Sequence, residues 1–317
     1  MAKQAASTKK TTKTTTTGSK SPVVTKTTIK TVAAATEARE ARTKAAMVAE
    51  KGFTARFNRT LTPHALISEA VGTFILGLVT FGLFTTFSLS SAAPSLGPIY
   101  VGLTYALLAI VLGGISGSHL NPAVTFGLWT ARRFSGFAVP FYWIAQFIGA
   151  LAAVLIMAVL TGNGLNLNLS HFFSNFDWGV FAIEAIGTAV LLLGFMAARH
   201  RLGLSTLGRS LGVGLALLVA LTTGTSLYSS LKEGVDITNV QAVTDVPRTL
   251  RLDGPIYNPA LALGVTEKTN NEIQPTGAAD TESSTSRLTL GETLVAPLLG
   301  AALGANLYRI LSRREDR

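Results

Sequence analysis

Two copies of one tripeptide are the residues of this sequence best suited to recognise a polar solute: Asn121-Pro122-Ala123 and Asn258-Pro259-Ala260. Asparagine before proline is a good helix N-cap, and proline is favoured in the first turn because its missing N–H would have no partner there. The asparagine amide is left to point away from the helix. Two such helix starts facing each other would place two amide donors and two partial positive charges at one point.

Two carboxylates, Glu69 and Glu184, lie inside apolar runs and recur in the same pattern, Glu-x-x-Gly-Thr. A carboxylate inside a membrane is costly unless it faces the protein interior and finds donors. These residues leave two roles open for the carboxylates: structural hydrogen-bond acceptors or members of a proton relay. The chain has no cysteine, four scattered histidines and no nucleophile–base set or nucleotide-binding loop. We therefore expect no catalysis, no cofactor and no metal site.

The elements that must position these groups are membrane helices. Hydrophobic residues make up 48% of the chain and charged residues only 14%, against about 25% charged residues in a typical soluble domain. Six apolar runs have a length of about 20 residues, enough to cross a bilayer. They lie near Ala65–Phe87, Pro98–Ile115, Gly136–Leu160, Val180–Ala198, Leu207–Tyr228 and Leu288–Leu311. The composition predicts an all-α integral membrane protein.

Charges in the connections predict the orientation of the spans. Arginines cluster in one set of connections and after the last span, whereas the other connections are neutral or carry more acids than bases. Because basic residues favour the cytoplasmic side, we expect both termini in the cytoplasm. The membrane is interpreted as the plasma membrane of the cell.

The two tripeptides open short apolar segments, Asn121–Thr130 and Asn258–Val265, that reach across only about half a bilayer. Short segments in matching places of two halves are typical of discontinuous helices that meet at the midplane. The halves, about 65–162 and 177–311, contain three spans each. With an odd number of spans per half, the pattern predicts an inverted repeat.

The segment Ser116–Thr125, together with Gln146, Gly149, Pro297 and Gly300, resembles the major intrinsic proteins, the aquaporin and glycerol-facilitator family. The resemblance implies an aquaporin-like domain at 61–312 with six transmembrane helices and two re-entrant half-helices. It also implies a passive channel for water or small neutral solutes such as glycerol, in a homotetramer within the lipid bilayer. No nucleic-acid partner is expected.

The resemblance also assigns roles to single residues. Asn121 and Asn258 would face the pore, and Glu69 and Glu184 would accept hydrogen bonds from backbone N–H groups of the two loops. His119, just before the first tripeptide, would pack within its loop. A pH gate is the other interpretation of His119.

The sequence departs from the family at the outer selectivity filter. Most members carry an arginine after the second tripeptide, where this chain has Leu261. Spacing places Val101, Leu221 and Pro255 at the other three filter positions, so all four are apolar. A narrow apolar ring blocks water by dewetting, whereas a wider one passes bulkier neutral solutes.

An external insertion at about 227–252 contains Arg248 and Arg251. One of these arginines could fold inward and replace the missing filter arginine; the alternative is a solvated loop whose charges face water.

The tails are predicted separately. Residues 1–60 form a basic Lys/Thr-rich tail and juxtamembrane segment, expected to be disordered because such a composition buries little apolar surface. An anionic-lipid anchor, a nucleic-acid-binding arm and a transit peptide are the alternatives for its first 36 residues. Residues 313–317 form a short basic tail.

Three functions remain open at this point. The first is a passive channel, and the second is a non-conducting scaffold that reuses the channel fold. The third, an ion-coupled transporter, is weakened because the spans lack paired ionisable residues suited to coupling.

Overall fold

The computed structural model describes residues 42–44, 61–89, 96–162, 168–173, 176–201, 203–233, 248–268, 273 and 285–312. Most of the tail predicted at 1–60, the insertion between 234 and 247, and the tail at 313–317 lie outside the described residues. Within the first compact unit, which ends at Val48, residues 42–44 are helical. The second unit, Ala49–Arg317, holds the helices and both tripeptides.

Seven α-helices organise the described part of the second unit. In chain order they are α1 (Pro63–Leu89), α2 (Gly97–Leu112), α3 (Pro122–Thr130), α4 (Val139–Thr161), α5 (Trp178–His200), α6 (Thr206–Lys232) and α7 (Ala296–Ser312). A 3-10 turn at Gly136–Ala138 leads into α4, and one π-helical segment at Leu290–Val295 leads into α7. The order matches the six predicted spans with the first half-helix, α3, between the second and third.

Five of these helical segments are long and apolar enough to cross a membrane. The exception among the six predicted spans is α2, an apolar helix of 16 residues, or roughly 24 Å by helical rise. Backbone hydrogen bonds continue past its end, from Ile115 and Ser116 to the carbonyl of Leu112. The chain between Pro98 and Ile115 therefore contains a shorter helix followed by tight turns.

Helix packing reflects the predicted repeat. The most extensive contacts pair α1 with α4 and α5 with α7, the first and third spans of each half. The second spans of the two halves, α2 and α6, pack on each other, and α3 lies against α7. The apolar core between these helices surrounds the two tripeptides.

Two glycines allow the paired helices to approach backbone to backbone. A Cβ on Gly149 of α4 would lie 2.1 Å from the carbonyl oxygen of Ala70, and a Cβ on Gly300 of α7 would lie 2.0 Å from that of Ala185. Ala70 and Ala185 each follow one of the buried glutamates directly. The close crossing therefore sets the position of both carboxylates.

The second short segment differs from the half-helix that was expected. After Asn258 the chain forms a single 3-10 turn at Leu261–Leu263 instead of a helix like α3. Gly264 has a low helix propensity and the following Val265 and Thr266 are β-branched, which favours extended backbone. The chain then forms an antiparallel bridge between Thr266 and Ser286.

The returning chain takes the carbonyl groups that a longer helix would have used. The Ser286 hydroxyl donates to the carbonyls of Ala262 (3.2 Å) and Leu263 (3.0 Å). The backbone N–H of Arg287 donates to the carbonyl of Val265 at 2.8 Å. Because these acceptors are satisfied by another segment, the turn ends without exposing backbone groups inside the membrane.

We predict that Gly149→Ala destabilises the protein by about 1–3 kcal/mol, the usual cost of overpacking a dense core. The added methyl group would press on backbone atoms of α1, which cannot rotate away. Gly82→Ala is the matched control, because nothing lies within 4 Å of its added Cβ. Thermal unfolding in detergent measures both variants; equal melting temperatures for the two would contradict the packing argument.

Candidate functional site

Hydrogen bonds from the two asparagines connect the two tripeptide loops. The side-chain oxygen of Asn121 accepts from the N–H of Ala123 at 2.8 Å, and that of Asn258 accepts from the N–H of Ala260 at 3.1 Å. Their amide nitrogens then cross over. Asn121 donates to the carbonyl of Tyr257 at 2.8 Å, and Asn258 donates to the carbonyl of Leu120 at 2.9 Å. An amide nitrogen has two donors, so each asparagine keeps a second N–H for a solute.

The residues before the asparagines have a left-handed backbone. Leu120 has φ 50° and Tyr257 has φ 56°, a conformation that costs energy for a residue other than glycine. These are the two residues whose carbonyls accept from the opposite asparagines. The strain therefore accompanies the reciprocal contact between the loops.

Each of the two buried glutamates accepts the N–H groups of one left-handed residue and of the residue before it. Glu69 accepts from His119 at 2.9 Å and from Leu120 at 2.7 Å. Glu184 accepts from Ile256 at 3.0 Å and from Tyr257 at 2.8 Å. Both carboxylates are completely buried, so each replaces the water that a loop would otherwise need inside the membrane.

His119 is also completely buried. Its Nδ1 atom lies 3.1 Å from the Thr125 hydroxyl, and its ring centroid lies 4.8 Å from that of Phe134 and 5.1 Å from that of Tyr142. The ring is outside the lining of the central cavity. The ring thus packs among aromatic side chains and away from the cavity, and its role as a packing residue stays a prediction.

A cavity of about 370 Å³ extends from the outer rim of the protein to both tripeptide asparagines. All four residues predicted for the filter line it: Val101, Leu221, Pro255 and Leu261. Its remaining walls are mainly apolar helix side chains. At the rim, the Lys268 ammonium pairs with the Asp253 carboxylate at 2.6 Å. A solute entering here would pass a charged rim, then an apolar zone, and then two amide donors.

The family model described as Major intrinsic protein matches residues 29–231. This chain belongs to the major intrinsic protein family. The matched residues end before the second tripeptide. Members of this family are membrane channels and not enzymes.

Individual relatives agree with the family assignment. Aquaporin Z of Rhodopseudomonas palustris is 27% identical over 271 residues, which cover 80% of this chain and 95% of the relative. Aquaporin Z of Brucella melitensis is 32% identical over 192 residues, covering 54% of this chain and 83% of the relative. The solved aquaglyceroporin of Plasmodium falciparum superposes with a TM-score of 0.53 at 20% identity, covering 80% of this chain and 98% of that one. The predicted aquaporin-like fold is confirmed.

The arginines of the insertion do not occupy the place of the missing family arginine. Arg248 is buried and pairs with Glu267 and with Glu292, the latter at 3.2 Å. Neither Arg248 nor Arg251 lines the cavity. The alternative that one of them folds into the filter is therefore wrong, and so is a water-facing Arg248. Arg248 is held inside because two carboxylates compensate its charge.

Sequence reasoning missed Arg287, which the structure buries completely. One terminal nitrogen of its guanidinium donates to the carbonyl of Gly254, and the other contacts Glu184 at 3.3 Å and the Tyr228 hydroxyl at 3.4 Å. Burial alone would lower the pKa of Arg287, but Tyr228 and the carboxylates around it raise this pKa above its usual value. The arginine therefore stays charged. Its only signal in the sequence was a lone base at the start of the last span.

The Arg287–Glu184 pair makes the two buried glutamates unequal, although their positions in the repeat suggest equal effects. We predict that Glu69→Gln costs about 1.5–3 kcal/mol of stability, the value of a hydrogen bond to a charged group. Glu184→Gln should cost about 3–5 kcal/mol, because it also leaves a buried guanidinium without its counter-charge. Thermal unfolding in detergent provides the comparison; a larger loss for Glu69→Gln would contradict this order.

Proposed function

We propose that this chain is a passive channel for water and small uncharged solutes of about the size of glycerol. The observation that carries the proposal is the cavity that joins the outer rim to Asn121 and Asn258 in the described part of the chain. The asparagines offer N–H donors to a neutral oxygen. The apolar walls offer nothing to replace the hydration shell of an ion, so ion passage is disfavoured.

The argument for solutes larger than water is that Leu261 occupies the position where most family members carry an arginine. Leu261 lines the cavity. Arg248 of the insertion does not take the place of the missing arginine, because it pairs with Glu267 and Glu292. The cavity volume of about 370 Å³ is on the order of ten times the share of one water molecule in the liquid. Such a space accommodates a polyol together with some of its water.

The remaining assignments extend the family relationship. We propose a homotetramer in the plasma membrane with both termini in the cytoplasm. The support is the arginine-rich set of connections described above and the many large apolar side chains on the outer faces of the helices, such as Leu103 and Ile144. Glu69 and Glu184 are proposed as loop supports, with His119 as a packing residue of the first loop.

Solute flux into proteoliposomes tests the proposal. We expect protein-containing vesicles to exceed empty vesicles in osmotic water flux and in glycerol or urea uptake, with no increase in proton leakage. A matched preparation carrying Asn121→Leu should lose most of the increase, since it removes one donor. Flux equal to that of empty vesicles for water, glycerol and urea would instead favour the non-conducting scaffold.

The solute range should depend on the side chain at position 261. We predict that Leu261→Arg lowers glycerol flux more than water flux, because the guanidinium narrows the cavity and adds hydrogen-bond donors. Leu261→Ala should change the ratio of glycerol to water flux in the opposite direction. Stopped-flow light scattering measures both fluxes on the same vesicles; a ratio unchanged in both variants would show that Leu261 is not part of the filter.

A further inference from the structure

Each tripeptide loop is held by a buried arginine at the same place. The carbonyl of Gly117 accepts from Arg199 at 2.9 Å, and the carbonyl of Gly254 accepts from Arg287. Each glycine lies four residues before the asparagine of its loop. The two arginines come from unrelated places, the end of α5 and the segment before α7. In both halves the equivalent glycine carbonyl accepts from an arginine, but the two arginines are not at equivalent positions of the repeat.

The second loop combines two tasks in one side chain. In the first loop, the carboxylate of Glu69 accepts from the neutral amide of Gln146 at 2.8 Å, and a separate arginine holds Gly117. In the second loop, Arg287 contacts both Glu184 and Gly254. A guanidinium can do this because its donors form a rigid planar fork. A shift of Arg287 would therefore affect both Glu184, which supports the second loop, and Gly254, which is part of that loop.

The wall that Arg287 holds belongs to the solute path. Gly254, Pro255 and Ile256 line the outer half of the cavity, whereas Arg287 lies behind them and outside the lining. Its bond to the Gly254 carbonyl therefore fixes this stretch through a residue that is not part of the cavity lining. The same chain segment also holds the shortened turn that begins at Leu261, because the backbone N–H of Arg287 donates to the carbonyl of Val265 just after this turn.

We propose that Arg287 is a positioning residue that sets the width of the outer cavity by holding the Gly254–Ile256 wall outward from behind. The inference rests on the proposed function, since width matters only in a conducting channel. Past the charged rim, the solute then meets mainly apolar groups in the outer cavity, while the Arg287 cation stays outside the lining and is charge-compensated by Glu184. Arg287 therefore controls which neutral solutes pass without touching them.

Three variants separate this role from a purely structural one. Arg287→Lys keeps a positive charge beside Glu184 but cannot donate in a fork to both Glu184 and Gly254. Glu184→Gln combined with Arg287→Gln removes both charges, which avoids an uncompensated buried ion. Arg251→Lys is the matched control, because Arg251 is a nearby arginine of the outer face that does not line the cavity.

The experiment measures glycerol and water flux in proteoliposomes together with thermal stability in detergent. We expect Arg287→Lys to melt close to the wild type while its ratio of glycerol to water flux falls about threefold or more, because the wall relaxes inward. The double variant should fold and show the same fall in ratio. Arg251→Lys should keep the wild-type ratio.

The outcomes distinguish this inference from the proposed function. If the wild type conducts and both Arg287 variants keep its flux ratio, Arg287 is only a charge partner of Glu184 and the inference is overturned. If the ratio rises instead, the wall is not held outward and the geometry proposed here is wrong. A wild type that conducts nothing overturns both this inference and the proposed function.

Discussion

The structure depends on hydrogen bonds to backbone N–H groups that lie deep in an apolar protein. A loop that enters a membrane and turns back must satisfy its polar backbone without water. Glu69 and Glu184 do so from inside their helices, and each accepts two adjacent N–H groups of the facing loop. The left-handed residues, the crossed asparagine bonds and the solute cavity all require this support. The tight glycine crossings matter because they place the carboxylates.

The two halves meet this requirement in different ways. The first loop continues into the helix α3, so a helix start contributes its partial positive charge near Asn121. The second loop has a single 3-10 turn at Leu261–Leu263, and its helix dipole is correspondingly small. The second half has a full positive charge nearby instead, on Arg287, beside the carboxylate that supports the loop. An ion pair in this position adds little net field to the cavity, because the two charges lie together.

Much of this arrangement could be predicted from the sequence. Apolar run lengths gave the spans, and the repeated Glu-x-x-Gly-Thr pattern marked the two carboxylates, because both signals are local. The shortened second helix was missed because the carbonyls at its end are satisfied by Ser286 and Arg287, which are distant in sequence from Leu261. Neither alternative for Arg248, a place in the filter or a water-facing loop, was correct, because a charge in a loop carries no local sign of its partner. Its partners, Glu267 and Glu292, are brought together only by the fold.

The most direct test of the account is to label the proposed solute path. The chain has no cysteine, so Leu261→Cys creates a single thiol in the cavity wall, and Leu103→Cys creates one on an exposed face of α2. The measurement is glycerol and water flux before and after a membrane-impermeant thiol reagent is added to the outer side. The account predicts that the reagent blocks flux through Leu261→Cys and leaves Leu103→Cys unchanged. Undiminished flux through a fully labelled Leu261→Cys channel would contradict the claim that solutes pass through this cavity.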